Sequence, residues 1–366
     1  MFTQREILSE MKKYIRVSSA HGALLFVTDV LMYVVLIYGV LYLPLLWMKC
    51  IASLAAGFKI SNLVTIAHDA AHNSLTKSRL LNKFIAVTSL LPGLMNYRLW
   101  VYNHHRLHHP LTNIRYPGEI PLDNYMPYSK QEYDALSRFD QFKERFYRMP
   151  TFLGFGFYFC IERWFGVMLF PRWHMPHAVH ASSWRHFSLI LAYCVTYGGL
   201  LILVSLHNVM DPLLALVLGL VTPFFVFQCL LGFTVYVQHT HERVPWYKGS
   251  TVNEKSSRAY RRQEQVSVHL TFPKWIVPLM QMHHAYDHGA HHVCPAIPCY
   301  QLGPAQERLN EMLGDKAVRQ KFSVRWLIKT MNRCKLYDYE NHRWLDFDGK
   351  PTTLPQVPNI EYANVA

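Results

Sequence analysis

Apolar residues fall into four long runs along the chain. The runs cover Gly22 to about Leu43, Leu45 to Ala67, Phe187 to Leu206 and Pro212 to Val237. A bilayer core about 30 Å thick is crossed by about 20 mostly apolar residues in a helix, and each run has that length. Short turns separate the first run from the second and the third from the fourth. The pattern therefore predicts four transmembrane helices in two hairpins.

Three shorter segments have apolar positions that suggest helices lying along the membrane surface. Residues 1–21 place apolar side chains at helical spacing between charges, which is typical of an interfacial amphipathic helix. Leu80 to Leu94 and Thr151 to Phe170 are apolar, but the first is short and the second contains Glu162 and Arg163. We expect both to lie at the interface.

Composition supports a membrane protein and predicts its orientation. Apolar residues make up 51% of the chain and charged residues 17%, against about 25% charged in soluble domains. Basic residues flank the first run on its N-terminal side and fill the section between the second and third runs, whereas the turn at 207–211 has none. The positive-inside bias then places both termini and the middle section in the cytoplasm, with Lys49 as a mild exception. A bacterial inner membrane is the expected location.

The predicted fold is an all-α integral membrane protein in which a cytosolic helical cap holds a histidine-ligated dimetal site. The chain is expected to begin with an interfacial helix at residues 1–21 and a transmembrane hairpin at 22–67. A cytosolic section with two histidine boxes follows at 68–186, then a second hairpin at 187–237 and a C-terminal cytosolic section with the third box at 238–366.

Two opposite charges lie inside the first hairpin. Asp29 follows the start of the first run and Lys59 precedes the end of the second, so at 1.5 Å per residue both are about 10 Å deep. An unpaired charge near mid-bilayer costs about 2.5–3.5 kcal/mol. We expect an Asp29–Lys59 ion pair, with contact between Lys59 and a substrate carboxylate as the alternative.

Histidine is abundant, with 21 residues, and much of it is grouped in HxxxH or HxxHH patterns near the predicted helix ends. QHTH at 238–241 holds two further histidines, and the groups with these patterns are HDAAH at 68–72, HRLHH at 105–109 and HGAHH at 288–292. On a helix these spacings put the imidazoles on one face. Imidazole suits iron, zinc, copper and nickel. Eight or nine rings exceed the four ligands that one zinc ion takes, so two metal ions are predicted.

Together the three HDAAH, HRLHH and HGAHH boxes, with Pro110–Asn113 after the second and Ile297–Leu302 after the third, resemble the membrane fatty acid desaturases. The resemblance covers about residues 20–305. It implies a diiron centre that uses O₂ to remove hydrogens from an acyl chain. The implied metal ligands are His68, His72, His105, His108, His109, His288, His291 and His292, with His239 where family members often place one more.

Further residues are expected to support the ligands. Carboxylates commonly accept hydrogen bonds from the second nitrogen of a ligating ring, so Asp69 and Asp287 are predicted to orient the box histidines. His284 is expected to contribute there as a hydrogen-bonding or helix-end contact. His241 is assigned a similar role, although it competes with His239 as the extra ligand.

The resemblance also implies partners. The substrate is a fatty acid, an acyl thioester or an acyl lipid, and membrane lipids surround the protein. The chain has no HPGG haem motif, no CxxC pair and no GxGxxG run, so we expect a separate electron donor of the ferredoxin, rubredoxin or cytochrome b5 type with its reductase. The basic segments Arg258–Arg262 and Lys316–Arg333 are candidate docking sites, although lipid contact explains them equally well. No nucleic-acid partner is expected.

Desaturation is the preferred reaction, and other outcomes remain open at this point. The same centre could decarboxylate a free fatty acid to a terminal 1-alkene, since the third box is similar to that of bacterial alkene-forming relatives. Hydroxylation and carotenoid oxygenation use comparable boxes. A zinc transporter or zinc hydrolase is the alternative from another class, although a transporter places ionisable ligands nearer the membrane midplane.

Overall fold

The computed structural model describes residues 2–115, 125–171, 175–207, 210–248, 266–280 and 282–356. Four helices in these ranges are long and apolar enough to cross a membrane, and they span Ser19–Tyr42, Leu46–Ala71, His177–His207 and Pro212–His239. They match the four apolar runs to within a few residues at most ends, and the third helix begins ten residues before its run. The predicted all-helical membrane fold with four spanning helices is confirmed.

The other described elements are short. The remaining α-helices are Gln4–Met11, Arg79–Leu90, Tyr97–Tyr102, His109–Leu111, Lys130–Asp134, Arg138–Tyr147, Phe152–Tyr158, Val277–Met280, His288–Val293, Cys299–Leu313 and Val324–Arg333. Wider π-helical turns occupy Asn103–His108, Phe159–Met168 and Val217–Val221, the last of them inside the fourth apolar helix. Two-stranded pairs join Ile114–Arg115 to Tyr247–Lys248 and His269–Thr271 to Arg319–Lys321 in parallel, and Leu336–Asp338 to Arg343–Leu345 antiparallel.

The chain folds into two compact units. The first unit comprises Met1–Arg16, Asn103–Gly154 and Phe233–Ala366, and the second comprises Val17–Tyr102 and Phe155–Gly232. Each unit therefore takes segments that are distant in sequence.

In the second unit, small residues let the apolar helices approach closely. A Cβ atom added to Gly57 would lie 2.5 Å from the Cβ of Val226, so only glycine fits there. Nearby, the Ser53 hydroxyl donates to the carbonyl of Leu218 at 2.6 Å. Close packing of this kind drives helix association in membranes, where burial of apolar surface contributes little.

Lys49 follows the turn of the first hairpin and binds the end of the preceding helix. Its Nζ donates to the carbonyls of Val40 at 3.1 Å and Leu41 at 2.7 Å. The last carbonyls of a helix have no partner within it, and its C-terminus carries partial negative charge. The lysine thus satisfies both the hydrogen-bonding and the electrostatic demand of that helix end.

The first unit has a core of its own and includes the N-terminal helix Gln4–Met11. Trp246, Trp344 and Tyr337 are buried together in this core. The N-terminal helix buries Ile7 and Met11 in protein, and Glu10 pairs with Arg308 at 3.3 Å. One apolar face of this predicted interfacial helix is therefore covered by the protein itself.

Candidate metal centre

Four buried imidazoles converge within the first unit. They come from the second box, the end of the fourth apolar helix and the third box, and they belong to His108, His239, His288 and His292. One ring nitrogen from each lies within 4.8 Å of the others. The Nε2 of His288 is 3.0 Å from that of His239 and 2.9 Å from that of His292.

The ring of His239 is oriented by the backbone. Its Nδ1 lies 2.9 Å from the carbonyl oxygen of Val266, and because a carbonyl only accepts, Nδ1 carries the hydrogen. The Nε2 of His239 therefore presents its lone pair to His288. Burial first, and then the neighbouring imidazoles, hold the pKa of His292 well below its ordinary value. This ring is neutral at pH 7, as a metal ligand must be.

A second group of imidazoles lies beside the first in the same unit. The Nε2 of His109 is 3.1 Å from that of His104 and 3.1 Å from that of His291. The ring centroids of His109 and His292 are 4.8 Å apart, so the two groups are adjacent.

The second box differs from the sequence prediction in register. It was expected to present His105, His108 and His109 from an α-helical face, but Asn103–His108 is a π-helix. A π-turn joins residues five apart rather than four, and His104 stands directly against His109, with ring centroids 4.6 Å apart. His104 joins the second imidazole group, whereas His105 belongs to neither group among the described residues. The wider turn is the physical reason.

The first box lies in the second unit, at the end of the Leu46–Ala71 helix. The rings of His68 and His72 have centroids 4.9 Å apart, as expected for an i, i+4 pair. The Nδ1 of His68 donates to the Asp69 carboxylate at 2.9 Å, which is the contact expected of Asp69. The ring of His68 also lies 5.8 Å from that of Trp100.

The donor sets of the first unit fit transition-metal ions. Neighbouring Nε2 atoms are 2.9 to 3.1 Å apart, and two imidazoles bound at right angles to one ion with metal–nitrogen distances of about 2.1 Å would be separated by about 3.0 Å. All donors are nitrogen, which suits iron, zinc, copper or nickel better than magnesium or calcium. The residues present therefore fit a pair of metal ions of that class.

Comparison with known proteins identifies the chain at the family level. A sequence model of the family described as fatty acid desaturase matches residues 44–323. The chain belongs to the fatty acid desaturase family. The match includes all three histidine boxes and the resemblance drawn from them is confirmed.

Curated fatty acid desaturases are similar to it over most of its length. The chain is 25% identical to the chloroplastic omega-6 fatty acid desaturase of Arabidopsis thaliana over 314 residues, which are 84% of this chain and 61% of that relative. It is 22% identical to the sn-1 oleoyl-lipid 12-desaturase of Picosynechococcus sp., covering 80% and 77%. It is 26% identical to the sn-1 acyl-lipid omega-3 desaturase (ferredoxin) of Synechocystis sp., covering 75% and 69%. The chain thus spans about three fifths of the length of the plant relative.

Asp287, a predicted supporting residue of this desaturase-family chain, contacts histidines outside the three boxes. Asp287 was predicted to orient a box histidine, yet its carboxylate oxygens lie 3.1 Å from Nε2 of His269 and 2.8 Å from Nδ1 of His284. Burial opposes the charged form, but these hydrogen bonds and charges hold the pKa of Asp287 below its ordinary value. His241 accepts the backbone N–H of Arg243 at 3.0 Å and lies outside both imidazole groups.

Sequence reasoning missed His269 because an isolated histidine carries no spacing signal. Lys59 and Asp29 form the ion pair that was the first of the two expectations for these intramembrane charges. Lys59 Nζ is 2.9 Å from Asp29 Oδ1, and the two side chains are only 13% and 3% exposed. Of the basic segments, Arg258–Arg262 lies outside the described residues. In the other segment, Arg333 and Lys329 lie 2.8 and 3.8 Å from Glu242.

Proposed function

We propose that this protein is an O₂-dependent diiron desaturase that converts a CH₂–CH₂ pair of a fatty acyl chain to CH=CH. The single observation that carries the proposal is the pair of adjacent imidazole groups in the first unit, on a chain of the fatty acid desaturase family. The balanced reaction consumes one O₂, two electrons and two protons and releases two waters. Two bound iron ions would supply the O₂ activation needed to break unactivated C–H bonds.

The proposed ligands are the eight box histidines and His239. Within the first unit, distances support His108, His239, His288 and His292 as one set and His109 with His291 as part of the other. His68 and His72 are proposed as ligands from the resemblance of HDAAH to the family's first box. His105 is proposed as a ligand from the same resemblance, whereas the π-helical register of Asn103–His108 favours His104 as the ligand in its place.

The chain's own residues would prepare these ligands. The Val266 carbonyl fixes the tautomer of His239, and Asp69 accepts from Nδ1 of His68, which raises the basicity of its other nitrogen. Burial of His288 and the three rings around it excludes water and favours neutral imidazoles. Exclusion of water also protects reactive oxidants from wasteful reactions.

An acyl chain of a membrane lipid is the proposed substrate class. Two relatives carry names that specify acyl lipids, and the four apolar helices give the protein access to such lipids. Lys59 is held by Asp29 at 2.9 Å, so we assign it to an ion pair rather than to a substrate carboxylate. Oxidative decarboxylation, which needs a free acid, is not favoured by relatives that are named desaturases.

A separate protein is proposed to supply the electrons. The name of the Synechocystis relative specifies ferredoxin, and we propose a small acidic donor of that kind. The helix Val324–Arg333 exposes Arg325 and Lys329 at its surface, which suits an acidic partner. We further propose that the centre faces the cytoplasm, from the excess of basic residues in the segments that hold the boxes.

Product analysis tests the proposal. Membranes containing the protein would be supplied with labelled oleoyl lipid, ferredoxin, its reductase, NADPH and O₂, and the acyl chains analysed by gas chromatography. We expect an alkenoate of unchanged length with one more double bond, and no product from His288→Ala. If free fatty acid instead gives an alkene that is one carbon shorter, the reaction is decarboxylation and the desaturase proposal is wrong. Iron-loaded protein that consumes no O₂ with any acyl substrate would overturn both.

A further inference from the structure

The helix that carries the third box lacks a cap from its own N-terminal residue. His288–Val293 has six residues, and the first four N–H groups of any α-helix have no partner within it. Asp287 occupies the N-cap position, but its side chain caps no backbone N–H. Its two oxygens bind His269 and His284 instead.

Gln306, on the neighbouring helix Cys299–Leu313, satisfies one of these N–H groups. Its Oε1 accepts from the backbone N–H of Ala290 at 2.8 Å. Ala290 is the third residue of the helix, and this N–H is one that an N-cap side chain ordinarily binds. Gln306 is buried, so water does not compete for the contact.

Gly289 allows the close approach of Gln306. A Cβ atom at Gly289 would lie 3.1 Å from Oε1 and 3.3 Å from Nε2 of Gln306. Any larger residue there would push the amide away by a few tenths of an ångström. The glycine in HGAHH therefore makes room for the capping side chain.

A directional chain of hydrogen bonds fixes the orientation of the Gln306 amide. Its Nε2 donates to Oδ1 of Asn310 at 3.1 Å, and Nδ2 of Asn310 donates to Nδ1 of His269 at 2.8 Å. The Nε2–H of His269 then donates to Asp287 at 3.1 Å. Each donor and acceptor is used in one consistent sense. From donor to acceptor, these hydrogen bonds start at the Ala290 N–H and end at the Asp287 carboxylate, so they bracket His288.

We propose that Gln306 is a positioning residue for the metal centre, acting through the third-box helix with Asn310 and His269 as its supports. The inference rests on the proposed function, because the helix presents His288, His291 and His292. When the cap is lost, the first turn of the helix is free to fray. The His288 imidazole would then lose its fixed position beside His239.

Cobalt binding tests this role without any activity assay. The full-length purified apoprotein would be titrated with Co²⁺ and followed by its visible d–d absorption. We expect Gln306→Leu to weaken Co²⁺ binding by about 10-fold or more, as loss of supporting contacts at metal sites does. Gln306→Glu keeps an acceptor for Ala290 but loses the donor to Asn310, so its Co²⁺ affinity should lie between those of the parent protein and Gln306→Leu. The matched control, Glu307→Leu, changes the exposed neighbour on the same helix and should bind as the parent does.

Two further variants separate the outcomes. His288→Ala removes a proposed ligand, so unchanged Co²⁺ binding in that variant would overturn the metal site itself. If His288→Ala loses binding while Gln306→Leu keeps the parent affinity and spectrum, only the positioning role is overturned, even if the melting temperature falls. Should Gln306→Leu not fold, Gly289→Ala provides the test. It retains every polar group and is expected to shift the spectrum and weaken binding.

Discussion

The Nε2 atoms of His239 and His288 lie 3.0 Å apart, although 49 residues separate them in the chain. His239 ends the fourth apolar helix, and His288 begins the short helix of the third box. Two elements with different local structure thus deliver nitrogen atoms to one point. The contact links a membrane-spanning helix to the box that follows it.

Removing His239 should reduce metal binding far more than removing His241, which lies two residues further along the chain. In His239→Ala one of four converging nitrogens is lost, and we expect the affinity of that set to fall by more than about 100-fold, since even supporting contacts cost about 10–100-fold. The measurement is metal content by mass spectrometry after dialysis. His241→Ala is the control, because His241 lies outside both groups. Equal loss in both variants would contradict the assignment.

The second box offers a direct comparison of helical registers. If the π-helix at Asn103–His108 sets the ligands, His104→Ala should lower metal content and His105→Ala should not. If the box acts as an α-helix, the result reverses. Metal content and O₂ consumption of the two variants, measured side by side, decide between the registers.

Asp69 should act on the metal through His68. Asp69→Asn keeps the size of the side chain but removes the charge that His68 Nδ1 contacts at 2.9 Å. We expect metal affinity to fall by about 10–100-fold with folding retained. Competition with a chelator measures the affinity, and circular dichroism checks the fold. An unchanged chelator midpoint would limit Asp69 to a structural role.

Removing one partner of the Asp29–Lys59 pair should lower the free energy of unfolding strongly, whereas replacing both residues with apolar ones should lower it little. Asp29→Ala leaves Lys59 buried without its carboxylate, and such a loss costs about 3–5 kcal/mol. The double variant Asp29→Leu/Lys59→Met should recover most of that free energy of unfolding. Unfolding in mixed micelles with increasing dodecyl sulfate measures both. A double variant that is less stable than Asp29→Ala would argue for a functional charge.

Lys335 should make the free energy of unfolding depend on pH in the alkaline range. Burial, helped by nearby Arg148, lowers the pKa of Lys335 from 10.5 to about 8 in the folded protein. Between pH 8 and 10.5 the unfolded chain therefore binds more protons, so the free energy of unfolding rises with pH in that window. The rise is at most about 3 kcal/mol. Thermal unfolding at pH 7.5 and 10 should show it, and Lys335→Met should lack it.

Much of the fold could be predicted from the sequence because a bilayer imposes a simple rule. A helix must be apolar for about 20 residues to cross it, and the four runs end within a few residues of the observed helices in most cases. The third box and His239 were also recognisable, since their residues carry a spacing or a helix end as a signal.

The register of the second box could not be predicted, because spacing identifies a shared face only once the helical period is known. NHHRLHH offers His105 to an α-helix and His104 to a π-helix. Nor could the supports of the third box be found. Gln306 and Asn310 are ordinary polar residues in a helix, and only tertiary structure brings them to His269 and Ala290.

Lys49 alters how the charges around the first hairpin should be counted. Its ammonium group is committed to the carbonyls of Val40 and Leu41, so part of its charge is neutralised by the helix end that it binds. Topology rules weigh every lysine alike. A lysine that caps a helix C-terminus is explained by the local fold. Such a lysine should therefore count less than a free one when basic residues are used to decide which side of the bilayer holds the turn.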